Sequence, residues 1–81
     1  MRVKVLEPIY AESASVLVNK ASEFSETILI KKGHWEIDAK SLLGLIAISL
    51  KPNQEIELTV SDSHSTAGIE ALLSTGYFEK I

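Results

Sequence analysis

The chain contains no cysteine. That excludes disulfides, thiol catalysis and zinc–thiolate centres, and it suits a cytosolic protein. Basic runs are missing too. With 8 Lys and Arg against 11 Asp and Glu the net charge is -3, so nucleic acid and acidic membrane surfaces are poor partners. No long hydrophobic run exists: Leu42 to Leu50, the longest, is broken by Gly44 and Ser49. It falls far short of the ~20 residues that span a bilayer, so no membrane insertion is expected. Met1 to Leu6 alternates charged and apolar residues, which is unlike a signal peptide, and the expected location is cytoplasmic. Histidines are scarce. His34 and His64 lie far apart, with no acidic residue at ligand spacing on a shared helix, so neither a metal site nor a cofactor is expected.

What is present is an ordinary globular composition, 46% hydrophobic and 23% charged over 81 residues. This length predicts a single domain, 1–81, near the small end of chains that fold alone. Met1 to Leu6 places Val3 and Val5 on one face and Arg2 and Lys4 on the other, the period of a half-buried strand. Glu55 to Val60 repeats the pattern, with Ile56, Leu58 and Val60 opposite Glu55, Glu57 and Thr59. One strand is basic on its outer face and the other acidic, which suggests that they are neighbours.

From Ser13 to Phe24 the period becomes helical, with Ala14, Leu17, Val18, Ala21 and Phe24 on one face. Thr27–Lys32 and Trp35–Asp38 read as a hairpin turning at Gly33 and His34, with Ile28, Ile30 and Ile37 buried. Ser41 reads as the N-cap of a short apolar helix running to about Ser49, followed by a turn over Lys51–Gln54. Ser61 to Ser65 offers capping side chains for a last helix that buries Ile69, Leu72 and Leu73, with Gly76 as its C-terminal cap. The order is βαββαβα, a two-layer α+β arrangement in which three helices cover one face of the sheet.

Three segments carry a resemblance that spans nearly the whole chain. Pro8-Ile9-Tyr10-Ala11-Glu12-Ser13-Ala14 leads into the first helix, Lys40-Ser41-Leu42-Leu43-Gly44 opens the second, and Gly68-Ile69-Glu70-Ala71-Leu72 forms the third. Together they resemble HPr, the phosphocarrier family of the bacterial sugar phosphotransferase system. The resemblance implies an open-faced sandwich with four antiparallel strands in the order 1-4-2-3, and a carrier or binding protein rather than an enzyme. It also implies a Gly-Ile/Leu-His-Ala-Arg-Pro-Ala loop at residues 8–14. In that loop Tyr10 stands at the phosphoryl-accepting histidine, Glu12 at the arginine and Ser13 at the proline.

These departures bear on chemistry. Phenols ordinarily ionise near pH ~10, so tyrosine is a poor acceptor from a phosphohistidine donor. The plainer reading of Tyr10 is an aromatic cover over a helix end. Glu12 repels phosphate but suits a helix N-terminus. Ser41 matches the serine that an ATP-dependent kinase modifies in HPr proteins of Gram-positive bacteria, although a simple cap already accounts for it. Leu42, Leu43 and Ile46 fall at the family's apolar docking patch. They mark a partner surface if exposed side by side, or a thicker core if buried. Asp62, Ser63, His64 and Ser65 imitate a nucleophile cluster in print, but adjacent loop residues rarely converge, and capping is the simpler use. Trp35 is either a contact residue or a cover for the sheet edge.

The expected function is therefore that of an HPr-like binding or regulatory domain without the accepting histidine, linked to the phosphotransferase system. Its partner would be a regulator, a system enzyme, a kinase or another copy of the chain. The alternatives are a phosphocarrier with an unorthodox acceptor, and a structural or oligomerisation module that kept only the fold.

Overall fold

A computed structural model of the protein describes residues 1–61 and 64–81. The elements run β1 (Arg2–Val5), α1 (Ala11–Ala21), β2 (Ile28–Lys32), β3 (Trp35–Asp38), α2 (Leu42–Ile48), β4 (Glu55–Val60), α3 (Ala67–Leu73) and β5 (Phe78–Lys80). All strand pairs are antiparallel, in the order β3-β2-β4-β1-β5. The expected order 1-4-2-3 is intact inside this sheet. The expected count of four strands is corrected to five, because Phe78–Lys80 adds itself to the free edge of β1. Leu6 N donates to Tyr77 O and Ile81 N to Arg2 O, which extend that pairing at both ends. Three residues are too few to show a period, and Phe78 is anchored by burial opposite Val5.

Alternation sorts the strands into two faces. Val3, Val5, Ile28, Ile30, Ile56 and Leu58 point to the core with essentially no exposure. The helices bring Leu17, Leu45, Ile48, Ile69 and Leu72 to meet them. Burying each such side chain stabilises by roughly 1.5–3 kcal/mol relative to exposure. Gly68 lets α3 settle closely on β2, since a Cβ there would come within 2.6 Å of Ile28 Cδ1.

Helix boundaries differ from the periodic reading in detail. The first helix starts at Ala11, two residues early, and stops at Ala21. Phe24 lies beyond it, in a turn where its N–H donates to Ala21 O. The last helix has Thr66 as N-cap with no side-chain cap bond, while Ser65 Oγ accepts from Ala67 N. The expected capping by Asp62 and Ser63 lies outside the described residues. The C-cap is Ser74, in the right-handed region, and not the expected Gly76, which lies two residues on at φ 87 and donates its N–H to Leu73 O. Leu73 is only half-buried. Gly33, at φ 59, sits first in a two-residue turn between Lys32 and Trp35, the position where a tight hairpin favours glycine.

On the open face the charges alternate by strand. Glu79 of β5 faces Lys4, Arg2 and Lys4 of β1 face Glu57 and Glu55, Glu57 faces Lys31 of β2, and Lys31 faces Glu36 of β3. Arg2 Nη2 reaches diagonally to Glu55 Oε1 at 2.8 Å. Lys31→Glu would set one carboxylate between two others. It should destabilise by about 1–2 kcal/mol in urea titrations, with part of the loss recovered in high salt. A salt-independent loss would show that packing, not charge, matters at this position.

Candidate functional site

Two loops and a helix end form the site. The segment from Leu6 to Tyr10 leaves β1 and enters α1, and the segment from Ser49 to Gln54 leaves α2 and enters β4. Backbone bonds join them: Val5 N to Gln54 O (2.8 Å), Asn53 N to Val5 O (2.7 Å) and Ile9 N to Leu50 O (3.1 Å). Ile9 and Leu50 are buried on either side of the last bond. Pro8 has no N–H to satisfy just before the helix, and its fixed φ favours an extended approach.

Tyr10 is the N-cap of α1, extended at φ -105 and ψ -173, and its side chain makes no cap hydrogen bond. Ser13, three residues on, caps from inside the helix: its Oγ accepts from Tyr10 N at 2.8 Å and lies 3.2 Å from Tyr10 O. The tyrosine ring is left 71% exposed. Glu12 is also exposed, in the first turn, where its charge suits the helix dipole.

Beside Tyr10 opens a cleft of about 500 Å³, with Pro8, Ile9, Ile46, Leu50, Lys51 and Pro52 among its lining residues. Its far wall is the end of α2. Ser49 closes that helix in the left-handed region at φ 53. Lys32 Nζ donates to Ile48 O (3.0 Å) and Ser49 O (3.3 Å), placing a cation on the helix C-terminus.

At the other end of α2, Ser41 Oγ accepts from Gly44 N at 3.1 Å, so the serine is an N-cap in fact. Between the two ends, Leu42, Leu43 and Ile46 are 39%, 79% and 42% exposed, while Leu45 and Ile48 take the core positions. The thicker-core reading of these three residues is thereby corrected: a seven-residue helix buries one stripe, and they lie off it. Ile46 lines the cleft that Tyr10 also lines, so the patch and the α1 head are continuous. Trp35 stands 68% exposed on the edge strand β3. His34 lies in the hairpin turn and His64 before α3, both exposed and on separate loops.

A sequence model described as the PTS HPr component phosphorylation site matches residues 2–75. The chain belongs to the HPr family. It is 33% identical over 70 residues to the phosphocarrier protein HPr of Lysinibacillus sphaericus, covering 84% of this chain and 80% of that one. It is 27% identical over 74 residues to the HPr-like protein Crh of Halalkalibacterium halodurans, covering 91% and 88%. The crystal structure of HPr from Bacillus anthracis superposes with a TM-score of 0.82 at 28% identity, covering 91% of this chain and 90% of that one. HPr proteins are phosphocarriers rather than enzymes, and the chain belongs to this non-enzymatic family. Among the described residues, no helix is long and apolar enough to cross a membrane.

Sequence reasoning missed Ser13 as the internal cap and Lys32 as the clamp on α2. The Ser13 signal was present, a hydroxyl three residues past the cap. Lys32 carries no local signal, because its target lies sixteen residues on and across a layer. Ser13→Ala should cost about 1 kcal/mol, since it leaves the Tyr10 amide without its acceptor. Tyr10→Ala should stay within about 0.5 kcal/mol, because the ring is exposed and caps nothing. Urea denaturation of both variants checks the pair, and the reverse ranking would contradict the capping scheme.

Proposed function

We propose that residues 1–81 act as one HPr-family domain that binds a protein partner in the cytoplasm and does not carry a phosphoryl group. One observation carries this reading: Leu42, Leu43 and Ile46 are exposed side by side, and Ile46 lines an apolar cleft that Tyr10 also lines. Exposed apolar side chains grouped in this way suit docking. No histidine lines the cleft among the described residues. In this reading Tyr10 takes the family's histidine position and Glu12 its arginine position. A phenol is a weak acceptor at neutral pH, and a carboxylate near the helix head opposes an incoming phosphate.

Ser41 is our candidate for regulatory phosphorylation. Its hydroxyl sits at the head of α2, immediately before Leu42 and Leu43. A phosphate there would add a charge of about -1.5 to -2 beside the patch and act through partner contacts. The partners this arrangement suits are a regulator, an enzyme of the phosphotransferase system or a kinase. A cap alone accounts for Ser41 if no kinase acts on it, and that is the outcome to test. A kinase that labels an ordinary HPr but leaves this chain unlabelled, read by mass, removes the regulatory part of the proposal.

The carrier question has its own assay. Incubation with phosphoenolpyruvate and the upstream enzymes should leave no acid-labile phosphate on the chain. Tyr10→His alone should rescue little, and Tyr10→His with Glu12→Arg should rescue more. Labelling of the unaltered chain would instead support a carrier with an unorthodox acceptor. Equal rescue by the single and double variants would defeat the charge argument at Glu12.

A further inference from the structure

We propose that the outer edge of β3 receives one additional strand from a protein partner, carrying Lys or Arg toward the open face of the sheet and an apolar residue beside Trp35. The edge is available: β3 is terminal in the sheet and pairs only with β2 among the described residues. The two-residue turn makes Lys32 and Trp35 the first hydrogen-bonded pair, and Ala39 N donating to Ile28 O at 2.8 Å continues the alternation. Trp35 and Ile37 therefore direct their backbone groups at β2, while Glu36 and Asp38 direct theirs outward. The Asp38 carbonyl is taken by Ser41 N at 2.9 Å. Among the described residues, the Glu36 amide and carbonyl and the Asp38 amide remain as the open set, enough to seat a short strand.

Charge selects the occupant. Across the open face the strands read acidic, basic, acidic, basic, acidic from β5 to β3, with Glu79, then Arg2 and Lys4, then Glu55 and Glu57, then Lys31, then Glu36 and Asp38. The next strand in this series is basic. A second copy of the chain fits poorly, because both edges are acidic: β3 against β3 sets Glu36 and Asp38 on themselves, and β3 against β5 sets them on Glu79. Alternation places the partner's other residues on the helix-bearing side, the side shared by Ile37 and Trp35. Trp35 is 68% exposed there, and an apolar side chain laid across it gains the cross-strand contact that it lacks. Lys32, its partner across β2, is already committed to the α2 carbonyls.

The test uses the intact, isotopically labelled chain and a capped synthetic peptide, Gly-Lys-Val-Lys-Val-Lys-Gly, with its Glu-for-Lys counterpart as control. The lysine peptide should slow hydrogen exchange at the Glu36 and Asp38 amides and shift the emission of Trp35, the one tryptophan in the chain. Its affinity should fall as salt is raised. Glu36→Lys should weaken it about tenfold and transfer binding to the glutamate peptide. Because that variant opposes Lys31, circular dichroism checks its fold, and Glu36→Gln should fall between the two. Three results would each overturn the proposal: unchanged exchange at Glu36 and Asp38 at saturating peptide, equal binding of both peptides, or protection located at β5 or at the head of α1 instead.

Discussion

The hydrogen bond from Ile9 N to Leu50 O holds the site together, because it is where the chain entering α1 meets the chain leaving α2. Both flanking side chains are buried, so the bond lies beside the core, where a polar group without a partner is costly. With that junction fixed, the direction of α1 is set, Tyr10 is delivered to the helix head, and Ile46 and Pro52 close the opposite wall of the cleft. Lys32 fixes the same junction from the sheet side, by holding the last carbonyls of α2. The patch on α2 and the head of α1 thus form one continuous surface, although they are some thirty residues apart in sequence.

The sheet beneath is specified twice. On the buried face, period-2 apolar residues fix which side of each strand is inward, and a slip of one residue would expose them all. On the open face, opposite charges meet at each strand boundary for which the register pairs charged residues. Each such pair contributes little, roughly 0.2–1 kcal/mol. Their combined effect is selectivity of neighbour: a basic strand is surrounded by acidic ones, and the acidic edges resist joining to further copies.

Much of this was legible in the sequence, for physical reasons that particular residues illustrate. Val3 and Val5, Ile28 and Ile30, and Ile56 and Leu58 declare their strands by alternation, and the charges of Arg2 and Lys4 against Glu55 and Glu57 gave the β1–β4 pairing. Ser41 declared the start of α2 because capping is local. The periodic pattern begins two residues after the true start of α1 because the cap works in reverse, with Ser13 reaching back to Tyr10. β5 has no local signal because its stability is tertiary: three residues hold through Phe78 opposite Val5. The cleft has no local signal for the same reason, since its lining joins the start of α1 and the end of α2 with the loops beside them.

The positions that distinguish this chain from the loop pattern it resembles are those that the fold constrains least. Tyr10 is 71% exposed and its side chain takes no part in the cap; Glu12 is exposed in the first turn, and its side chain is not buried against the core. Substitutions at such places change stability by only a few tenths of a kcal/mol in general, about ±0.5. Ile9, Ala14 and Leu17, by contrast, are buried within the same stretch of chain, and replacing them disturbs the packing that orients the helix. Replacing an exposed side chain at the helix head costs the fold almost nothing, while replacing the buried framework around it would be expensive. An HPr framework can therefore persist with different chemistry at its helix head. The exposed patch on α2 is maintained through its neighbours, because Leu45 and Ile48 must stay in the core for the helix to dock at all.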